Sequence, residues 1–259
     1  MEVRRILVAA GSNPHGRSAS RMAARLSRRP GSALRRIAPE DPEDEEGEIA
    51  EAARAWGAEL LVLAAPEPES EDATASAPSR LPMRVGISSP CPVLVTRAGH
   101  DRFAPRGLGF RRPVVGVDHA AFSPLAARAA IALTEPDGAV DLLHVFSREL
   151  PGESMSPGLE RPAASPATEE ARFRELQRLF AFADRVDNPS VAVECHVEMG
   201  DPAHQLVEHI ARGQNDLCVL GAHSRITERE RALGTVTGAV LRQAPVPVLL
   251  IPEALLGDA

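Results

Sequence analysis

Continuous apolar runs of strand length recur along this chain, separated by stretches with helical spacing. The runs are Arg5–Ala10 (RILVAA), Leu60–Ala65 (LLVLAA), Pro92–Thr96 (PVLVT), Val114–Asp118 (VVGVD), Val140–Phe146 (VDLLHVF), Val191–Val197 (VAVECHV), Leu217–Gly221 (LCVLG) and Val246–Ile251 (VPVLLI). Apolarity that is continuous rather than alternating predicts strands buried on both faces of a parallel sheet. Helices are predicted between them. One is Ile49–Trp56, and an Ala-rich one is Pro124–Leu133. Ala167–Arg185 lines Phe173, Leu176, Leu179, Phe180 and Ala183 along one side. Asp201-Pro202 is a helix start, with Asp as N-cap and Pro in the first turn. Ala203, Leu206, Val207 and Ile210 form the apolar face of that helix, and Gly213 ends it. This alternation predicts an α/β doubly wound fold.

The pattern also repeats. Both halves open on a basic pair and an apolar strand, RRILVAA and RRPVVGVD. Both close on a helix tail, a Pro-x-Pro and a strand, ISSPCPVLVTR and LRQAPVPVLLIP. Matched ends in the same order predict two tandem α/β units, 1–97 and 112–254, joined by a linker at 98–111. The first unit is shorter, as if one strand–helix pair were missing. The acidic run Glu40–Glu48 reads as a solvated loop feeding a helix start, where acids are favoured. The Pro/Ser/Gly-rich stretch Ser147–Ala167 reads as a long loop.

Composition narrows the function classes. The chain has 259 residues, enough for one large domain or two ordinary ones, and 44% are hydrophobic. Aromatics make up 3%, with no tyrosine, which argues against modules that stack bases on exposed rings. The formal net charge of −7 argues against broad binding of nucleic acid. Every cation is an arginine, which excludes a P-loop lysine or a Schiff-base lysine. Cys91, Cys195 and Cys218 form no CxxC, so neither zinc nor a redox dithiol is indicated from cysteine. The N-terminus runs straight into a strand without a signal-peptide profile, and no apolar run approaches membrane-spanning length. A cytoplasmic location is therefore expected, with no membrane partner.

The segment Val219–Pro252 carries the most chemistry. It reads as strand, polar loop, glycine turn, helix and strand, with Gly221, Ser224, Gly234 and Thr235 spaced G-x-x-S-x9-G-T. Backbone N–H groups at such a turn can hold a phosphate chain. Ligands of open α/β sheets bind beyond the carboxyl ends of strands where the order reverses. Gly221 and Asp118 each end a strand. Taken singly, the glycines serve tight turns equally well, and Thr235 an N-cap. With Asp118 they describe a nucleotide site.

From Arg112 to Pro252 the chain resembles the ATP-binding type of universal stress protein domain. The resemblance rests on VVGVD ending at Asp118, LLHVF with His144-Val145, MGDPA with Gly200-Asp201-Pro202, and GAHSRITERERALGTVTG. It implies two Rossmann-like, adenine nucleotide alpha hydrolase-like domains, the C-terminal one with strand order 3-2-1-4-5. It implies that Gly116, Asp118 and, through its backbone, Val145 meet adenine. Leu220 and Gly221 then lie under the nucleoside, and Gly234, Thr235, Val236 and Thr237 form the phosphate turn. Ser224 stands where the family usually has glycine. The implied cofactor is ATP, with Mg2+ arriving only on its phosphates. The implied role is regulation in stress response or signalling. Domains of this family pair through their last strands, so Val93–Val95 and Val248–Leu250 are expected to join the halves. A homodimer stays open.

The remaining polar residues carry less. Arg225, Arg229 and Arg231 alternate with acids as a solvated loop would. His119 and His223 flank the expected pocket, and His204 and His209 do not share a helix face. No metal site and no catalytic residue is assigned. The wider hydrolase-like group permits slow ATP hydrolysis without demanding it. The first unit has Gly11 at the family's Asp position, and Pro66-Glu67-Pro68, Glu69, Glu71 and Asp72 where a glycine loop belongs. Acids beside a phosphate repel it, so this unit is expected to be a packing partner that does not bind ATP.

Overall fold

The computed structural model describes residues 3–10, 13–39, 44–65, 80–146, 166–186, 188, 190–222 and 235–256. Gly11, the acids at 67–72, most of the 147–167 stretch, His223, the arginines at 225–231, Ser224 and Gly234 lie outside the described residues.

Nine strands form one sheet among these residues. They are β1 (Arg5–Ala9), β2 (Ala33–Ile37), β3 (Leu60–Ala64), β4 (Val93–Thr96), β5 (Pro113–Val117), β6 (Ala139–Phe146), β7 (Ala192–Met199), β8 (Leu217–Ala222) and β9 (Val248–Pro252). Their spatial order is β2-β1-β3-β4-β9-β8-β5-β6-β7. Counted within the second half, this is 3-2-1-4-5. The first half contributes four strands, with no counterpart of β7 among the described residues. All pairings are parallel except β4 with β9, where Val93, Leu94 and Val95 face Leu250, Leu249 and Val248. The two Pro-x-Pro strands therefore meet at the centre of a continuous sheet.

Seven α-helices among the described residues cover the sheet: α1 (Pro14–Leu26), α2 (Glu45–Trp56), α3 (Arg80–Ser88), α4 (Phe122–Leu133), α5 (Pro166–Val186), α6 (Pro202–Arg212) and α7 (Thr235–Gln243). Successive strand side chains point to opposite faces. Accordingly Ile6 and Val8 belong to one core layer, with Met22 of α1, Ala126 of α4 and Leu179 of α5. Leu7 and Ala9 belong to the other, with Ile49 of α2, Val85 of α3, Leu206 of α6 and Val240 of α7. Both layers run through both halves. The segment expected as a linker is packed into this structure. Phe110 is fully buried, and its backbone bonds to Leu133 and Glu135.

Local chemistry explains the helix ends. Asp201 accepts a hydrogen bond from the His204 N–H at 2.8 Å, and Pro202 follows it at the first helical position. Gly200, at φ 139°, makes the turn from β7. One predicted face is corrected. In α5 the buried apolar residues are Leu179, Phe182 and Val186, whereas Phe173 and Phe180 are exposed. At 100° per residue, those two phenylalanines lie about 130° around the helix from the centre of the buried stripe. Leu176 and Ala183 sit between and are partly covered.

Candidate functional site

The adjacent strands β5 and β8 pair from Pro113↔Leu217 to Val115↔Val219. Their carboxyl ends open into a cavity of about 370 Å³. Gly116, Asp118, Val145, Leu220, Gly221, Val236 and Thr237 all line it. Of the other expected residues, Thr235 begins α7, while Ser224 and Gly234 are outside the described residues. The wall is completed by Phe122, Ser123, Leu143, His144, Pro202 and Leu206.

Each group has a local reason for its place. Gly116 lets Leu220 and Leu206 close over the cavity floor, since a Cβ there would lie 2.6 Å from Leu220 Cδ2 and 3.3 Å from Leu206 Cδ1. Gly221 is required by packing, since a Cβ would stand 2.7 Å from Phe122 Cβ. Its glycine therefore answers to helix α4, and its φ is not positive. Val145 lies one residue past the last β5–β6 pair, Val117↔His144. Its backbone is thus released from β5 at the cavity mouth.

Asp118 follows β5 and is built into the start of α4. Its Oδ1 accepts from the Ser123 hydroxyl at 2.8 Å and the Ala120 N–H at 2.9 Å. Ser123 Oγ in turn accepts from the Asp118 N–H at 3.2 Å. Opposite, Thr237 donates its hydroxyl to the Gly221 carbonyl at 3.1 Å, tying the first turn of α7 to the end of β8. The opening N–H groups of a helix have no partner within it and carry its positive pole. The cavity thus offers an apolar slot, a carboxylate at one side and a helix N-terminus at the other. That arrangement suits a flat ring bearing a hydrogen-bond donor and an anionic tail.

Two histidines that sequence reasoning left aside adjoin the carboxylate. His144 Nδ1 lies 2.7 Å from the Val117 carbonyl oxygen, and its Nε2 lies 3.7 Å from Glu175 Oε2 on α5. The His119 ring is 4.6 Å from the His144 ring, centroid to centroid. Partial burial of its ring lowers the His119 pKa although the residue as a whole is exposed, helped by the neighbouring His144 imidazole. Only the fold reveals this group, because Glu175 is 31 residues from His144 in sequence.

The family model described as "Universal stress protein family" matches residues 109–252. The chain belongs to the universal stress protein family. Universal stress protein Rv2005c of Mycobacterium tuberculosis is 33% identical over 141 residues, covering 54% of this chain and 45% of that protein. Its Mycobacterium bovis counterpart, Mb2028c, matches at the same identity and coverage. The match thus spans about half the length of these relatives. Among solved structures, a universal stress protein from Archaeoglobus fulgidus superposes with TM-score 0.63 at 12% identity, covering 98% of this chain and 100% of that one. A putative universal stress protein from Pseudomonas aeruginosa superposes with TM-score 0.60 at 16% identity, covering 98% and 95%. At these identities the likeness concerns the fold, and it extends over both halves of this universal stress protein. Among the described residues, no helix is long and apolar enough to cross a membrane.

Proposed function

We propose that the second half binds an adenine nucleotide, ATP with its Mg2+, as a regulatory ligand in a cytoplasmic stress response or signalling path. One observation supports this reading above the others. Seven residues singled out by the motif, spread from Gly116 to Thr237, line one cavity at a reversal of strand order. In this reading adenine occupies the slot between Gly116, Val145 and Leu220, with its amino group towards Asp118. The phosphates extend to the first turn of α7, where Thr235 adds a backbone donor. The first half does not bind ATP and supports the second through the β4–β9 pairing.

Isothermal titration of Mg-ATP tests this against the variants Asp118→Ala and Asp118→Asn. A hydrogen bond to a charged group contributes about 1.5–3 kcal/mol, so Asp118→Ala should bind tenfold weaker or worse, and Asp118→Asn, whose amide oxygen still accepts, should lose less. Equal affinity in all three proteins removes Asp118 from the site. Turnover of Mg-ATP well above background would favour an enzyme instead.

A further inference from the structure

We propose that His119, His144 and Glu175 form a binding site for a divalent transition-metal ion, of the zinc type, at the rim of the cavity. The Val117 carbonyl can only accept, so the proton of a neutral His144 sits on Nδ1, 2.7 Å away. Its Nε2 then presents a lone pair. That lone pair faces the Glu175 carboxylate at 3.7 Å, and both side chains are mostly buried. Two acceptors facing each other in a mostly buried place are a pair of ligand atoms that a cation between them would satisfy. His119 completes the set, for one donor atom from each of the three residues lies within 4.8 Å of the others.

The spacing and the ligand chemistry agree. Zinc bonds of about 2.0–2.1 Å in a tetrahedron put neighbouring ligand atoms about 3.3 Å apart. The observed 3.7 Å separation closes with a shift of a few tenths of an ångström. Two imidazoles and one carboxylate are a common zinc set that leaves a fourth position open. A backbone carbonyl fixing the far nitrogen of a ligating histidine is its usual outer partner. His119 supplies a further observation, since it holds φ 60°, a conformation uncommon for residues other than glycine. Arg178, which pairs with Glu175 at 3.1 Å, has a side chain 70% exposed and is free to swing into water.

A second cluster, Asp141 with His196 and His209, also has ligand-like spacing. It is already served by protein cations. Arg112 contacts both Asp141 oxygens, at 2.9 and 3.0 Å, and the Asn215 amide donates to it at 2.8 Å. A metal there would have to expel the guanidinium.

Zinc titration of the chelator-treated full chain, without nucleotide, tests the proposal independently of the ATP reading. The expected result is one zinc per chain, with cobalt in its place giving a tetrahedral absorption band. His119→Ala and Glu175→Gln should each weaken binding about 100-fold or more, since loss of an outer partner alone costs 10–100-fold. His196→Gln should bind as wild type does. His119 is exposed, so its variant should fold, and the Glu175 variant gives a second reading. No binding in the wild type, unchanged binding in both variants, or loss on His196→Gln would each overturn the site.

Discussion

Replacing Asp141 by asparagine should cost about 3 kcal/mol of stability, and the cost should depend on pH in a defined way. Asp141 sits on β6 with 2% of its side chain exposed. Arg112 and Asn215 donate to it, and His196 and His209 bring Nε2 atoms to 3.6 and 3.5 Å. Glu194 shares Arg112 and lies 3.8 Å from His196. Removing one partner of a buried ion pair costs about 3–5 kcal/mol. The Arg112 side chain is 33% exposed, so water can re-solvate it, which argues for the lower end. With a urea slope of about 3 kcal/mol per molar, the unfolding midpoint should fall by about 1 M.

The sign of the pH effect follows from two groups. Burial raises the pKa of Asp141, but contacts from His196, His209, Asn215 and Arg112 outweigh it and hold the carboxyl well below its usual range. Its stabilisation is present above about pH 4 and is lost as pH falls below that. His196 is raised, chiefly by Asp141. Its contribution is complete below about pH 6.5 and fades as pH rises through the folded value. The wild type should therefore exceed Asp141→Asn by most between about pH 4 and 6.5, with the gap narrowing on either side. Urea titrations monitored by circular dichroism across that range read the gap directly. A gap under about 0.5 kcal/mol at its maximum, or one constant from acid to alkali, refutes the reasoning.

Three further substitutions probe separate contacts. Burial pushes His100 down to about 4, with Arg97 and Arg102 adding to the effect. The folded state thus prefers the neutral ring, and stability should fall by up to about 3 kcal/mol as pH drops from about 6.5 to 4. His100→Leu should flatten that portion of the melting-temperature profile. Gly221→Ala should destabilise by about 1–3 kcal/mol in urea unfolding, because the new methyl meets Phe122 at 2.7 Å. Gly238→Ala, in α7 with nothing nearer than 3.7 Å, should instead be neutral or stabilise by up to about 1 kcal/mol in the same assay.

The strands that sequence made legible are those buried on both faces. β3, β5 and β8 read as unbroken apolar runs because helices cover each side. β2 escaped because its residues, ALRRI, are exposed at the sheet edge and carry Arg35 and Arg36, the charge pattern of a protected edge. α1 escaped because alanines supply half of its buried apolar side chains, Ala19 and Ala23 beside Met22 and Leu26. The α5 face was misread because five apolar positions fit a stripe loosely, while Phe182 and Val186 set where it points. At the site, Gly116, Asp118 and Thr237 were legible through the motif. The His119–His144–Glu175 group was not, since no periodicity links a strand end to a helix one crossover later.

The proposed nucleotide site requires adenine to lie against Gly116, Val145 and Leu220. Photolabelling the protein with 8-azido-ATP, followed by peptide mapping, tests that contact most directly. Adducts should fall on the peptides carrying residues 113–118, 139–146 and 217–222, and unlabelled ATP should suppress them. Label confined to the first half, or label that ATP does not displace, would contradict it.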